Sequence, residues 1–203
     1  MQSEFGLYLE LGFDHISDLG GYDHILFIVA LCAIYRLEEW RKVAILVTAF
    51  TLGHSLTLAL AGFDLVRLNS ALIEFLIPVT ILLTALYNVL FHRFDQYEIS
   101  HTFTRRLNIN YAFALVFGLV HGLGFSNFFR SISIEGEGGG FVRQLFAFNV
   151  GVELGQLLIV AIILVISQLA FVVFSAPQKS WNLFVSGAAA GISTIMALER
   201  WPF

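Results

Sequence analysis

Apolar positions in this chain come in long uninterrupted runs, and the polar residues gather in short stretches between them. The runs cover about 22–36 (YDHILFIVALCAIYR), 43–61, 69–91, 109–126, 144–174 and 181–199. Most are long enough for a helix to cross a hydrocarbon core about 30 Å thick. The first is short unless its helix begins near Gly20, and the fifth is long enough that it must tilt, kink or project. Backbone groups inside lipid have to be satisfied within the segment, so helix is the predicted state throughout. The pattern predicts an all-α, polytopic membrane helical bundle of about six transmembrane helices. The intervening loops are too short for a second domain, so residues 1–203 read as one transmembrane domain. Asn69 or Ser70 suits the N-cap of the third span. The small-residue run Ser186–Gly191 (SGAAAG) in the last span would let helices approach closely.

Composition excludes the soluble alternative. The 203 residues are 58% hydrophobic and 13% charged, with a mean hydropathy of +0.81. Only 26 residues are formally charged, too few to coat a soluble domain of this size. The net charge of −4, with no basic block, gives no reason to expect a nucleic-acid partner. A single Cys32 excludes an intrachain disulfide and any CxxC metal or redox site. No glycine-rich nucleotide-binding loop is present, and no repeat of fixed period. Residues 1–21 lack a basic n-region and an uninterrupted apolar h-region, so the start reads as mature protein. Seven basic residues (Arg36, Arg41, Lys42, Arg93, Arg105, Arg106, Lys179) fall on one side of the predicted membrane. Four (Arg67, Arg130, Arg143, Arg200) fall on the other, together with Glu4, Glu10, Asp14 and Asp18. The excess of positive charge marks the cytoplasmic side, which places both termini on the opposite face.

That topology sets the polar residues of the spans at similar depth, in the outer half. His15 lies just before the first span, and Asp23 and His24 lie at its mouth. His54 is two-thirds along the second span, Glu74 one turn into the third and His121 two-thirds along the fourth. Asn149, Glu153 and Gln156 follow in the fifth at i, i+4 and i+7, on one helix face. The inner halves are almost purely apolar, apart from residues such as Cys32 and Asn88. An ionisable group inside a membrane is expensive and marks a functional site by default. One such residue taken alone could equally be a structural pair, but several at one depth point to a shared polar site. Imidazole with carboxylate suits divalent nickel, zinc, cobalt or iron; a proton relay would use the same groups. Thr51 and Thr57 stand three residues either side of His54, available to orient it. Asp23, adjacent to His24, is expected to fix another histidine or to ligate from a different side. Gly118 and Gly122 flank His121 closely enough to allow tight packing at its depth. His92 and His101, in the polar third loop, read as surface residues, and the abundant phenylalanine reads as packing or lipid contact rather than a cofactor box.

These segments carry a family resemblance. DHISDLGGYDHILFIVAL, TAFTLGHSLTLALA, FGLVHGLGF and FNVGVELGQ occur in that order over four spans, and ALIEFLIPVTILLTALYN fits the third. Together they resemble the HupE/UreJ family of small bacterial membrane proteins, and most closely its HupE/UreJ-2 branch. The resemblance implies a multi-pass protein of the bacterial inner membrane, regarded as a nickel or cobalt permease. It matches His15, Asp23 and His24 to an H…G-x-D-H signature, His54 and His121 to two histidine signatures, and Glu153 with Gln156 to a glutamate signature. The expected metal residues are therefore His15, Asp23, His24, His54, His121 and Glu153, with Thr51, Glu74, Asn149 and Gln156 around them or along a pathway. The expected partners are the lipid bilayer and a metal ion, with a second copy of the chain or metalloenzyme maturation proteins as further candidates. The function expected first is a transition-metal permease. The alternatives are a metal-dependent membrane enzyme, hydrolase or oxidoreductase, and a metal-binding assembly or sensor protein. No catalytic residue is assigned.

Overall fold

The computed structural model describes residues 3–66, 69–91, 102–132 and 139–202, all of them in helices, turns or short connections. His92 and His101 lie outside the described residues. Among the described residues seven α-helices follow one another: α1 (Glu4–Ser17), α2 (Asp23–Cys32), α3 (Trp40–Gly62), α4 (Ser70–Phe91), α5 (Thr102–Ile132), α6 (Gly139–Val173) and α7 (Gln178–Glu199). A single 3-10 turn, Leu37–Glu39, precedes α3.

Among the described residues, four segments are long and apolar enough to cross a membrane: Leu37–Gly62, Ser70–Phe91, Gly140–Val173 and Gln178–Glu199. Less than half of the apolar stretch of α4, α6 and α7 is buried inside the protein. On α6, Leu154, Leu158, Ile162, Val165, Leu169 and Val172 form an exposed stripe at helical spacing. A lipid-facing surface looks like this, and a water-facing one does not. About six full spans were expected. The apolar helix α2 has only 10 residues, roughly 15 Å at the rise of an α-helix. Within α5, Asn110–Ser126 is the apolar stretch found among the described residues, and it has fewer than 18. The chain leaves the helix after Cys32, and the buried residues Ala33, Ile34 and Tyr35 continue the apolar run without continuing the helix.

Sequence reading assigned no element to residues 4–17, yet α1 is a well-formed helix. Ser3 caps it by accepting a hydrogen bond from the Gly6 amide at 3.1 Å. Tyr8, Gly12 and Ile16, four residues apart, form its buried stripe.

The helices associate mainly in three pairs: α3 with α5, α1 with α6 and α4 with α7. α2 runs between them and touches α1, α3, α4, α6 and α7. Its sequence, DHILFIVALC, is apolar on every side after the first turn, as befits a central helix. Glycine sets the closest approaches. A side chain at Gly118 would collide with the Phe50 carbonyl of α3, and one at Gly53 with the Leu115 carbonyl of α5. Gly12 and Gly151 do the same for α1 and α6, against the Phe148 and Leu9 carbonyls. The run Ser186–Gly191 behaves differently from its sequence expectation. Ser186 and Ala189 are buried, whereas Gly187 and Gly191 face open space and bring no helix closer.

Candidate metal centre

Four imidazoles converge where α1, α2, α3 and α5 meet. Asp18 turns the chain between the first two by accepting from the Gly20 amide at 2.8 Å. This reversal brings His15, in the last turn of α1, against His24, in the first turn of α2, with ring centres 4.7 Å apart. His54 stands 5.9 Å from His15 and 6.4 Å from His24, and His121 stands 5.0 Å from His24. One nitrogen from each of His15, His24 and His54 lies within 4.8 Å of the others. Metal–nitrogen bonds of about 2.1 Å would draw such atoms somewhat closer, which small side-chain rotations supply.

His24, His54 and His121 are buried, and His15 is half-buried. Six of their ring nitrogens are shielded from solvent and have no hydrogen-bond partner: Nε2 of His15 and of His24, and both nitrogens of His54 and of His121. Buried polar atoms nearly always find partners, and each one left without costs about 1–3 kcal/mol. Nitrogen lone pairs gathered without donors are what a borderline-soft divalent cation would satisfy. The cluster is consistent with a metal-binding site in a membrane helical bundle.

Phenylalanine rings wall the group. Phe50 and Phe148 stack on His54 from two sides, at 6.2 and 6.4 Å. Phe125 covers His15 at 3.7 Å and Phe27 lies 5.8 Å from His121. These walls exclude water and lower the local dielectric, which strengthens any charge–ligand attraction inside. The sequence offered no signal for them, because 21 phenylalanines hide the four that matter.

Asp23 fixes its own neighbour rather than a distant histidine. Its Oδ1 lies 3.0 Å from His24 Nδ1 and also accepts from the His24 amide at 2.9 Å. With Nδ1–H held there, the lone pair falls on Nε2, which is buried without a hydrogen-bond partner. Arg200, at the end of α7, donates to Asp23 Oδ2 at 3.3 Å. Both carboxylate oxygens are therefore engaged. In the sequence Arg200 is one of the four basic residues on its side of the predicted membrane, with nothing to tie it to Asp23.

The α6 face meets α3 as its spacing required, but at partners the sequence did not name. Glu153 accepts from Thr48 Oγ1 at 2.6 Å and from Thr51 Oγ1 at 2.5 Å, and Gln156 accepts from Thr51 at 2.9 Å. Thr51 thus orients Glu153 and Gln156, not His54. Thr57 turns back to the backbone carbonyls of Gly53 and His54. Glu153 is half-buried at the α3–α6 seam and lies outside the group of converging ligand atoms. Asn149 approaches His54; its Nδ2 donates to the Leu145 carbonyl at 2.8 Å, and its Oδ1 is buried without a partner. Glu74 is exposed on α4 and accepts from Ser70 at 3.2 Å, away from the imidazoles.

The other half of the bundle holds a separate polar network. Asn88 Nδ2 donates to the Ala30 carbonyl at 2.7 Å, Asn182 Nδ2 to the Asn88 carbonyl at 3.0 Å and Ser186 to Asn182 at 2.9 Å. It ties α2, α4 and α7 together.

No curated protein and no solved structure matches the chain. A family model does, the one described as HupE / UreJ protein, in its second branch, and the match runs over residues 1–201. Nearly the whole chain, with all four converging histidines, lies inside that match, and the protein belongs to the HupE/UreJ family.

Proposed function

We propose that the chain is a transition-metal permease of the nickel or cobalt type, with its imidazole cluster as the capture site. One observation carries this reading: six buried ring nitrogens from four helices share one small space with no hydrogen-bond partner. His15, His24 and His54 would supply the first donors and His121 a further one. Asp23 would hold His24 in the ligating tautomer. An open hollow at His15, bounded by Asp14, Ser17 and Asp18, offers the way in, and its acids favour a cation there. α2 and α5 would complete six membrane passages. The protein would lie in the bacterial inner membrane with both termini on the periplasmic side, the acidic hollow facing the periplasm.

The test pairs two measurements on the purified chain. Titration with Ni²⁺, Co²⁺, Zn²⁺ and Fe²⁺ in chelator-free detergent should give saturable binding of at least one ion per chain, strongest for the transported metal. Proteoliposomes with an entrapped metal-responsive dye should then show protein-dependent, saturable entry of that metal. Binding with no entry would overturn transport and favour the metal-dependent enzyme. Absence of binding for all four metals would overturn the metal centre itself.

A further inference from the structure

The cluster described above has a visible entrance, and the side chains beneath it make an exit. Phe27 sits one turn past His24 on α2, and Phe117 one turn before His121 on α5. Their rings meet edge to face at 5.8 Å and form a layer directly under those two histidines. On the far side of the layer lies a narrow cavity between α2, α4 and α5, with room for about one water molecule. Leu31 and Phe27 line it from α2, but Thr84, Asn88 and Asn110 also face it, although the surroundings are apolar. At its end Asn110 donates to the Tyr35 hydroxyl at 3.0 Å.

We propose that the metal ion leaves the imidazole cluster between Phe27 and Phe117 and passes along Thr84, Asn88 and Asn110. This rests on the permease reading above. Three independent features converge on the route. The cavity is continuous with the aromatic layer that floors the site. Its lining includes one hydroxyl and two amide side chains, groups whose oxygens can replace part of a cation's hydration shell and release it again. The third feature is α2, which stops after 10 residues, with Leu31 and Ile34 against the cavity. The helix ends inside the bundle and brings the negative end of its dipole there, with its Ala30 and Cys32 carbonyls accepting from Asn88 Nδ2 and the Tyr35 amide. Interrupted helices whose carbonyl ends meet a cation are a recurrent device of transporters. Phe27 and Phe117 close the route at rest, because no ion crosses an aromatic contact without displacing a ring.

Thr84→Val keeps the side-chain shape and removes the hydroxyl, and Phe27→Leu thins the aromatic layer. In proteoliposomes loaded with the best-binding metal, Thr84→Val should lower initial entry at least about threefold and Phe27→Leu should raise it about as much. Metal affinity in detergent should stay within about twofold of the parent for Thr84→Val, whose hydroxyl bonds to the Thr80 carbonyl and lies away from the imidazoles. A third variant guards against misfolding of the others. Thr84→Cys in a Cys32→Ala background should react with a water-soluble thiol reagent, and bound metal should slow that reaction. Parent-like entry in both Thr84→Val and Phe27→Leu, or a Thr84→Cys thiol inert to the reagent, would overturn the route. Failure of the permease reading has a different signature, namely a parent protein that neither binds nor admits metal.

Discussion

The unpartnered imidazoles make a prediction that runs against the usual effect of core substitutions. His54 is fully buried, and neither ring nitrogen makes a hydrogen bond. In the metal-free protein its N–H and its lone pair are both desolvated without return, at about 1–3 kcal/mol for each such atom. His54→Leu keeps an apolar side chain of similar bulk between Phe50 and Phe148 and removes both polar atoms. The metal-free variant should therefore be more stable than the parent, by about 1–3 kcal/mol after allowing for imperfect fit of the new side chain. With metal present the order should reverse. A parent with metal at one thousand times its dissociation constant gains about 4.1 kcal/mol, and the variant, short of a donor, gains little. Thermal unfolding in detergent, with chelator and then with excess metal, reads both halves. Lower stability of His54→Leu in chelator would refute the reasoning, because it would mean that the imidazole has satisfying partners in the empty site, Asn149 being the nearest to supply one.

Asp23→Asn should weaken metal binding by about ten- to a hundredfold, the usual cost of losing the group that orients a ligating histidine; isothermal titration against the parent checks it, and unchanged affinity would remove Asp23 from the site. Gly118→Ala should cost about 1–3 kcal/mol by forcing α3 and α5 apart at the Phe50 carbonyl, read as a lower unfolding temperature with a weaker site. Glu153→Gln leaves the Thr48 and Thr51 hydroxyls able to rotate toward the new amide. It should fold within about 1 kcal/mol of the parent and lose less metal affinity than His54→Leu; an equal loss would bring Glu153 back among the ligands.

The helical bundle could be read from the chain because lipid and protein interior make the same demand, long apolar helices. That same equivalence hid the two short elements. Residues 22–36 form one apolar run, yet Ala33–Tyr35 are buried without being helical, and burial selects apolar side chains whatever the backbone does. α1 escaped because Glu4, Glu10 and Asp14 dilute an apolar stripe of only three positions. His24, His54 and His121 meet because matched depth on facing helices constrains position strongly. Spacing along α6 fixed which residues share a face but not which neighbour they meet, so Thr48 as a partner of Glu153 was invisible. Arg200 is 177 residues from Asp23, and only the packing of α7 near the start of α2 brings the two together.

The pairing of helices also bears on how the site comes into being. His15, His24 and His54 all lie on α1, α2 and α3, which are synthesised before α5 and α6. The helices that clasp them come late: α3 is gripped by α5 through Gly53 and Gly118, and α1 by α6 through Gly12 and Gly151. The early half thus carries most of the donor atoms, and the late half carries the framework that fixes their spacing. During biosynthesis these three imidazoles are made before the helices that hold them apart at their final distances. The spacing of the imidazoles is therefore complete only once α5 has closed on α3 and α6 on α1, late in assembly.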